Sequence, residues 1–133
     1  MRTTRCIDLG GVSIGGGSPV SIQSMTNLPW HDVDGTLAQI DRLAALGCQI
    51  IRVAVPSHDS LSSLAAICSS SKLPVVADIH FDHRLAIGAM ESGAAGIRVN
   101  PGNMRNVDSM RQVARIAANR GCVVRIGVNC GSL

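Results

Sequence analysis

The chain has no tyrosine, one phenylalanine and one tryptophan, so aromatic residues make up 2% of its 133 positions. Bases would find almost nothing to stack on, which argues against a nucleic-acid ligand. Lysine is scarce as well. Lys72 stands alone among twelve basic residues, the other eleven being arginines, and the net charge is a scattered +3. That balance is too modest for a polynucleotide tract, whereas arginine is the side chain suited to bidentate recognition of phosphate and carboxylate. No apolar run approaches the ~20 residues that span a bilayer, and the N-terminal "MRTTRCIDLGG" lacks the apolar core of a signal peptide. A cytoplasmic location with no membrane partner is the expectation. The five cysteines, Cys6, Cys48, Cys68, Cys122 and Cys130, are odd in number and include no C-x-x-C pair. They read as reduced packing residues, Cys130 in the loop "NCGSL" being set apart, and no metal site is expected within the chain.

What is present is apolar material at alternating textures. Hydrophobic residues make up 46% and charged residues 16% of the sequence, a balance suited to one globular domain. Short β-branched runs, "PVSIQSM" (19–25), "QIIRVAVP" (49–56), "PVVADIH" (74–80), "GIRVNPG" (96–102) and "VVRIGVN" (123–129), read as buried strands. Between them apolar residues recur at helical spacing, as in Leu37, Ile40, Leu43, Ala44 and Leu46, or Val107, Met110, Val113, Ala114 and Ala117. Asp34, Ser57, Asp82 and Asn106 are expected N-caps, and Gly47, Gly93 and Gly121 expected helix ends.

Strand then helix, repeated, makes parallel strands joined by crossovers. A dinucleotide fold would place G-x-G-x-x-G between first strand and first helix, but "MTNLPWHDVDG" stands there. The glycine cluster "LGGVSIGGGS" comes earlier, and its Gly10-Gly11 between two apolar pieces reads as a hairpin that closes the bottom of a barrel. The expected fold is therefore α/β: the N-terminal portion of a TIM-type (β/α)8 barrel, about five strands and four helices, preceded by a short hairpin. Residues 1–18 form the arm and hairpin, and residues 19–133 the first half of a substrate-binding barrel. A whole barrel takes ~200 residues or more, so the chain is read as part of a longer protein.

Three of these strands carry an arginine between β-branched neighbours: Arg52, Arg98 and Arg125. Residues two apart in a strand share a face, and ligands of such barrels gather at the C-terminal strand ends. By that parity Arg98 shares a face with Asn100, Arg125 with Gly127 and Asn129, and Asp78 with His80. If the shared face is the barrel interior, Arg52, Arg98 and Arg125 converge near its mouth with Asp78, His80, Asn100 and Asn129 around them. Three guanidiniums with one strand-borne acid among them call for an anion, since an unpaired buried charge is costly. A polyanion, such as a diphosphate, is the expected occupant. Structural ion pairing of the arginines with Asp78 is the plainer alternative.

The motifs "PVSIQSMTN", "IIRVAVP", "VVADIHFDHRLAIGA", "IRVNPGN" and "VRIGVNCGSL", in this order and spacing, resemble those of the bacterial 4-hydroxy-3-methylbut-2-enyl diphosphate synthases. The resemblance runs from about Arg5 to Leu133. It implies a (β/α)8 barrel that binds 2-C-methyl-D-erythritol 2,4-cyclodiphosphate through Arg52, Asp78, His80, Arg98, Asn100, Arg125 and Asn129, with no catalytic residue assigned within this stretch. It further implies a reductive ring opening with loss of water, a step in isoprenoid biosynthesis. A [4Fe-4S] cluster in a C-terminal domain, ferredoxin or flavodoxin as electron donor and a homodimer in which one subunit's cluster domain caps the other's barrel are also implied. None of the five cysteines matches the family's cluster ligands, so this stretch alone is expected to bind no cofactor and to be inactive. Departures are Leu28-Pro29-Trp30-His31 in place of a threonine-rich turn, Met104-Arg105 after "NPGN", and Cys130. A pterin-binding barrel of the dihydropteroate synthase kind would also use strand-end Asp and Asn but does not require three strand-borne arginines. A non-catalytic anion-binding fragment is the reading from a different class.

Overall fold

The computed structural model describes residues 2–80, 82–102, 106–128 and 130. Its first element is an antiparallel hairpin, β1 (Ile7–Leu9) and β2 (Val12–Ile14), with Leu9 opposite Val12. Gly10 and Gly11 make the two-residue turn at φ of +57° and +97°, the left-handed backbone that such a tight hairpin needs and that glycine adopts without penalty.

Five parallel strands follow in chain order: β3 (Gln23–Met25), β4 (Ile50–Ala54), β5 (Val75–Asp78), β6 (Gly96–Val99) and β7 (Val123–Ile126). Between them run α1 (Val33–Ala45), α2 (Leu61–Ser70), entered through a single 3₁₀ turn at His58–Ser60, α3 (His83–Glu91) and α4 (Val107–Arg120). The chain belongs to the α/β class, with five parallel strands and four helices after a separate hairpin among the described residues, as expected.

Strand parity sorts the side chains. Ile51, Val53, Val55, Val75, Ala77, Ile79, Ile97 and Val99 point outward into one core with Ile40 of α1, Leu64 and Ile67 of α2, Ala86 and Met90 of α3, and Val113 and Ala117 of α4. Each fully buried Ile or Leu in this layer contributes about 1.5–3 kcal/mol. The residues between them point to the opposite, inner face. At its N-terminal end that face is apolar: Ile50 and Val76 are sealed by Leu9 of the hairpin, which is 1% exposed. The hairpin turn presses so closely that a Cβ on Gly10 would lie 2.5 Å from Pro74 Cβ. The hairpin thus closes the bottom of the trough and leaves the C-terminal strand ends open.

Three local features differ from expectation. Strand pairing in the first run begins at Gln23 rather than Pro19; Ile22 O already accepts from both Gln49 N and Ile50 N, and Val20 is 93% exposed on this one-sided edge. The N-cap of α1 is Asp32, whose Oδ1 accepts from Gly35 N at 3.0 Å, while Asp34 lies in the first turn. Ser57 precedes the 3₁₀ turn without a side-chain cap bond, and Ser60 leads into α2. Asp82 and Asn106 cap α3 and α4 as expected, and Gly47, Gly93 and Gly121 take positive φ at three helix ends.

Candidate anion-binding site

The register of the sheet sets the inner face in rows. Ala54, Asp78, Arg98 and Arg125 are successive Cα partners across β4, β5, β6 and β7, and Arg52 lies one row lower beside Met25 and Val76. Three arginines and a carboxylate therefore occupy one wall near the open end, at positions where the flanking residues are committed to the outer core.

Asp78 is the hub. It is 2% exposed; its Oδ2 accepts from Arg52 Nη2 at 2.6 Å, and its Oδ1 stands 3.5 Å from Arg98 Nη1. His80 Nε2 is 3.6 Å from the same Oδ2 and is half exposed at the rim. Arg98 also donates from Nη2 to Gly127 O at 3.4 Å. Its guanidinium lies so close over β7 that a Cβ on Gly127 would stand 2.6 Å from Arg98 Nε. Gly127 is thus a shaping residue whose lack of side chain lets Arg98 lie flat. Asn100 is buried, and its Oδ1 accepts from Gly102 N at 3.0 Å, folding the turn after β6. Asn129 lies outside the described residues.

Arg125 departs from the group. Although it is the Cα partner of Arg98, its Nη1 donates to Gln23 Oε1 at 2.5 Å, on the first strand of the sheet. The plainer alternative of arginines paired with Asp78 is thus met by Arg52 and Arg98, and the third guanidinium faces a neutral amide. Three positive charges share the wall with one carboxylate. Arg52 Nε, moreover, is buried with no hydrogen-bond partner among the described residues, a state that native proteins usually relieve with water or ligand. The arrangement can neutralise an anion and hold it by charge-assisted hydrogen bonds.

Sequence reasoning did not single out Gln23. Its signal was available in parity, since Gln23 pairs with Ile50 on the inner face, but nothing in a strand pattern says which side chain an arginine reaches. A separate cavity of about 90 Å³ lies between Thr26, Trp30, Thr36, Val53 and Leu64, and no charged residue is among those lining it.

The cysteines do not form a ligand set. Among the described residues no group of three or more His, Cys, Asp or Glu is placed to hold a metal. Burial pushes the Cys68 thiol up to about 11 and raises that of Cys122, and Cys48 is buried with Sγ donating to Ile50 O. Such thiols pack rather than react.

Residues 4–133 match the GcpE TIM-barrel domain. The chain belongs to this family. It is 53% identical over 133 residues to the 4-hydroxy-3-methylbut-2-en-1-yl diphosphate synthase (flavodoxin) of Salinispora tropica, covering 99% of this chain and 34% of that one. To the enzyme of the same name from Persephonella marina it is 50% identical over 132 residues, covering 99% of this chain and 38% of the other. The chain spans about a third of the length of the curated relatives it matches. Among solved structures, Yersinia pestis dihydropteroate synthase superposes with a TM-score of 0.66 over 91% of this chain and 45% of its own, at 14% identity. That likeness is one of barrel fold. The GcpE match and the relatives' identities favour the diphosphate synthase reading over the pterin-binding alternative.

Proposed function

We propose that this chain is the substrate-binding part of a 4-hydroxy-3-methylbut-2-enyl diphosphate synthase, acting in isoprenoid biosynthesis on 2-C-methyl-D-erythritol 2,4-cyclodiphosphate. The single observation that carries the reading is the inner wall where Arg52, Arg98 and Arg125 outnumber Asp78 in a chain of the GcpE family. Arg52 and Arg98, held by Asp78, offer guanidinium donors to one phosphate group, and Arg125, on the strand next to Arg98 in the same wall, offers its charge as well. His80 at the rim and Asn100 complete the described part of the cradle, and the family resemblance adds Asn129 to the set. Fixed positive charge of this kind stabilises a diphosphate as its ring opens, without rearrangement at the moment of reaction.

The reductive chemistry belongs to a [4Fe-4S] cluster, which the described residues do not fit: their cysteines are scattered and form no group of ligands, and burial raises the thiols of Cys68 and Cys122. The cluster would be held by residues of a C-terminal domain outside this chain, in a homodimer, with flavodoxin, as the relatives' names say of them, or ferredoxin as donor. Residues 1–18 then serve as the arm and bottom hairpin, and residues 19–133 as the first half of the barrel. No helix among the described residues is long and apolar enough to cross a membrane; a cytoplasmic location is part of the proposal.

The test is turnover by the purified full-length protein, under anaerobic conditions with a chemical reductant and the cyclic diphosphate. Product formation with iron–sulfur absorbance is expected. An intact protein with neither would overturn the reading.

A further inference from the structure

Arg125 and Gln23 are 102 positions apart and stand on opposite edges of the five-stranded sheet. On a flat sheet four strand spacings separate those edges by roughly 19 Å, farther than the two side chains reach together. Their bond therefore crosses the hollow of a curved trough, below the mouth where Asp78 gathers Arg52 and Arg98. Arg125 has a reason to turn away: its Cα partner is Arg98, and like charges directly opposite one another repel. The partner it finds is an amide. A glutamate at this position would bind the guanidinium more strongly and cancel its charge, whereas glutamine fixes the group and leaves the charge available.

From this geometry we infer that Gln23 is a positioning residue for anion binding: it holds Arg125 across the barrel in a defined pose without neutralising it. Gln23 acts through Arg125 and not on the ligand. The inference rests on the diphosphate reading above and deepens it, assigning a role to the one short edge strand that contributes no charge to the wall.

The test is a titration of the full-length protein with inorganic diphosphate, supported by steady-state KM and kcat. Gln23→Glu, which changes charge and hardly changes shape, is expected to weaken diphosphate binding about tenfold, or about 1.4 kcal/mol, and to raise KM more than it lowers kcat. Gln23→Leu, which frees Arg125, is expected to weaken binding about threefold, a smaller effect on the same scale. In an Arg125→Leu background Gln23→Leu, which adds no charge of its own, is expected to have no further effect, because the cycle isolates the pair. Equal losses in both backgrounds, or binding unchanged by Gln23→Glu while Arg98→Leu weakens it, would overturn the role of Gln23. If Arg98→Leu is silent too, the diphosphate reading falls and this inference with it. Thermal unfolding of each variant, expected to match the parent, separates loss of pose from loss of fold.

Discussion

The two faces of the same five strands differ as sharply as two proteins. Outward, Ile51, Val53, Ala77, Ile97 and Val99 are each 5% exposed or less and touch helices. Inward, one residue away along the same backbone, stand Arg52, Asp78, Arg98 and Arg125. The strands can afford charge on one face because the other is so thoroughly apolar; parallel strands joined by helices are secured from outside, which leaves the inner wall free for chemistry. The inner wall is itself divided. Its lower end, Ile50 and Val76 under Leu9, is a small second core, and only the open end is charged.

The comparison breaks most severely at the outer face. Ile97→Ala removes a side chain at 0% exposure and is expected to cost about 4 kcal/mol, within the usual range for such truncations. Urea unfolding checks this, and diphosphate affinity per folded molecule should not change. If affinity falls in step with stability, the two faces are not separable.

Asp78→Ala comes next, since Asp78 is the buried carboxylate that holds the charged inner wall together. Removing this carboxylate leaves Arg52 and Arg98 facing each other, and the expected loss is about 3 kcal/mol. Added diphosphate should raise the midpoint of thermal unfolding more in this variant than in the parent, as the anion takes the place of the carboxylate. An equal shift in both would mean that ligand and Asp78 do not share partners.

Gly127→Ala sharpens the comparison by changing shape without charge. The new Cβ would stand 2.6 Å from Arg98 Nε, the far end of a flexible side chain. The guanidinium should move and the fold remain, with diphosphate affinity falling about tenfold, or about 1.4 kcal/mol, by calorimetric titration. The smallest effect is expected at the rim. Asp82 caps α3 through Arg84 N at 2.9 Å, and that bond, with the one to His58, holds its carboxyl below its ordinary value of 3.8. Asp82→Ala is expected to cost about 1 kcal/mol at neutral pH. A carboxyl lowered in the folded state stabilises above its unfolded value and ceases to do so as pH falls through the folded one. The gap between parent and variant should therefore close in acid; a gap constant to pH 2.5, well below the ordinary carboxylate range, would contradict the assignment.

How far the sequence could be read follows from the kind of signal each feature carries. The alternation of "IIRVAVP" and "GIRVNPG" settles which residues share a face, so the outer core and the inward placement of Arg52, Asp78 and Arg98 were legible from period alone. Asp82, Asn106 and the Gly10-Gly11 turn carry local backbone chemistry and were equally plain. Parity does not encode how a long side chain bends. The turn of Arg125 toward Gln23 and the close passage of Arg98 over Gly127 depend on strands distant in sequence coming together. The start of β3 was misjudged for a related reason: Pro19–Ile22 has the texture of a strand, but pairing on a single edge decides where the ladder begins.

The central claim is that the charged inner wall is a cradle for a diphosphate and not a set of structural ion pairs. The measurement that tests it most directly is titration of the full-length protein and its Arg98→Leu variant with the cyclic diphosphate, each accompanied by an unfolding curve. A charge-assisted contact is worth about 1.5–3 kcal/mol, so affinity should fall by roughly tenfold to more than a hundredfold, with the unfolding midpoint unchanged or higher. Unfolding of the variant at a lower midpoint, with affinity per folded molecule equal to that of the parent, would contradict it.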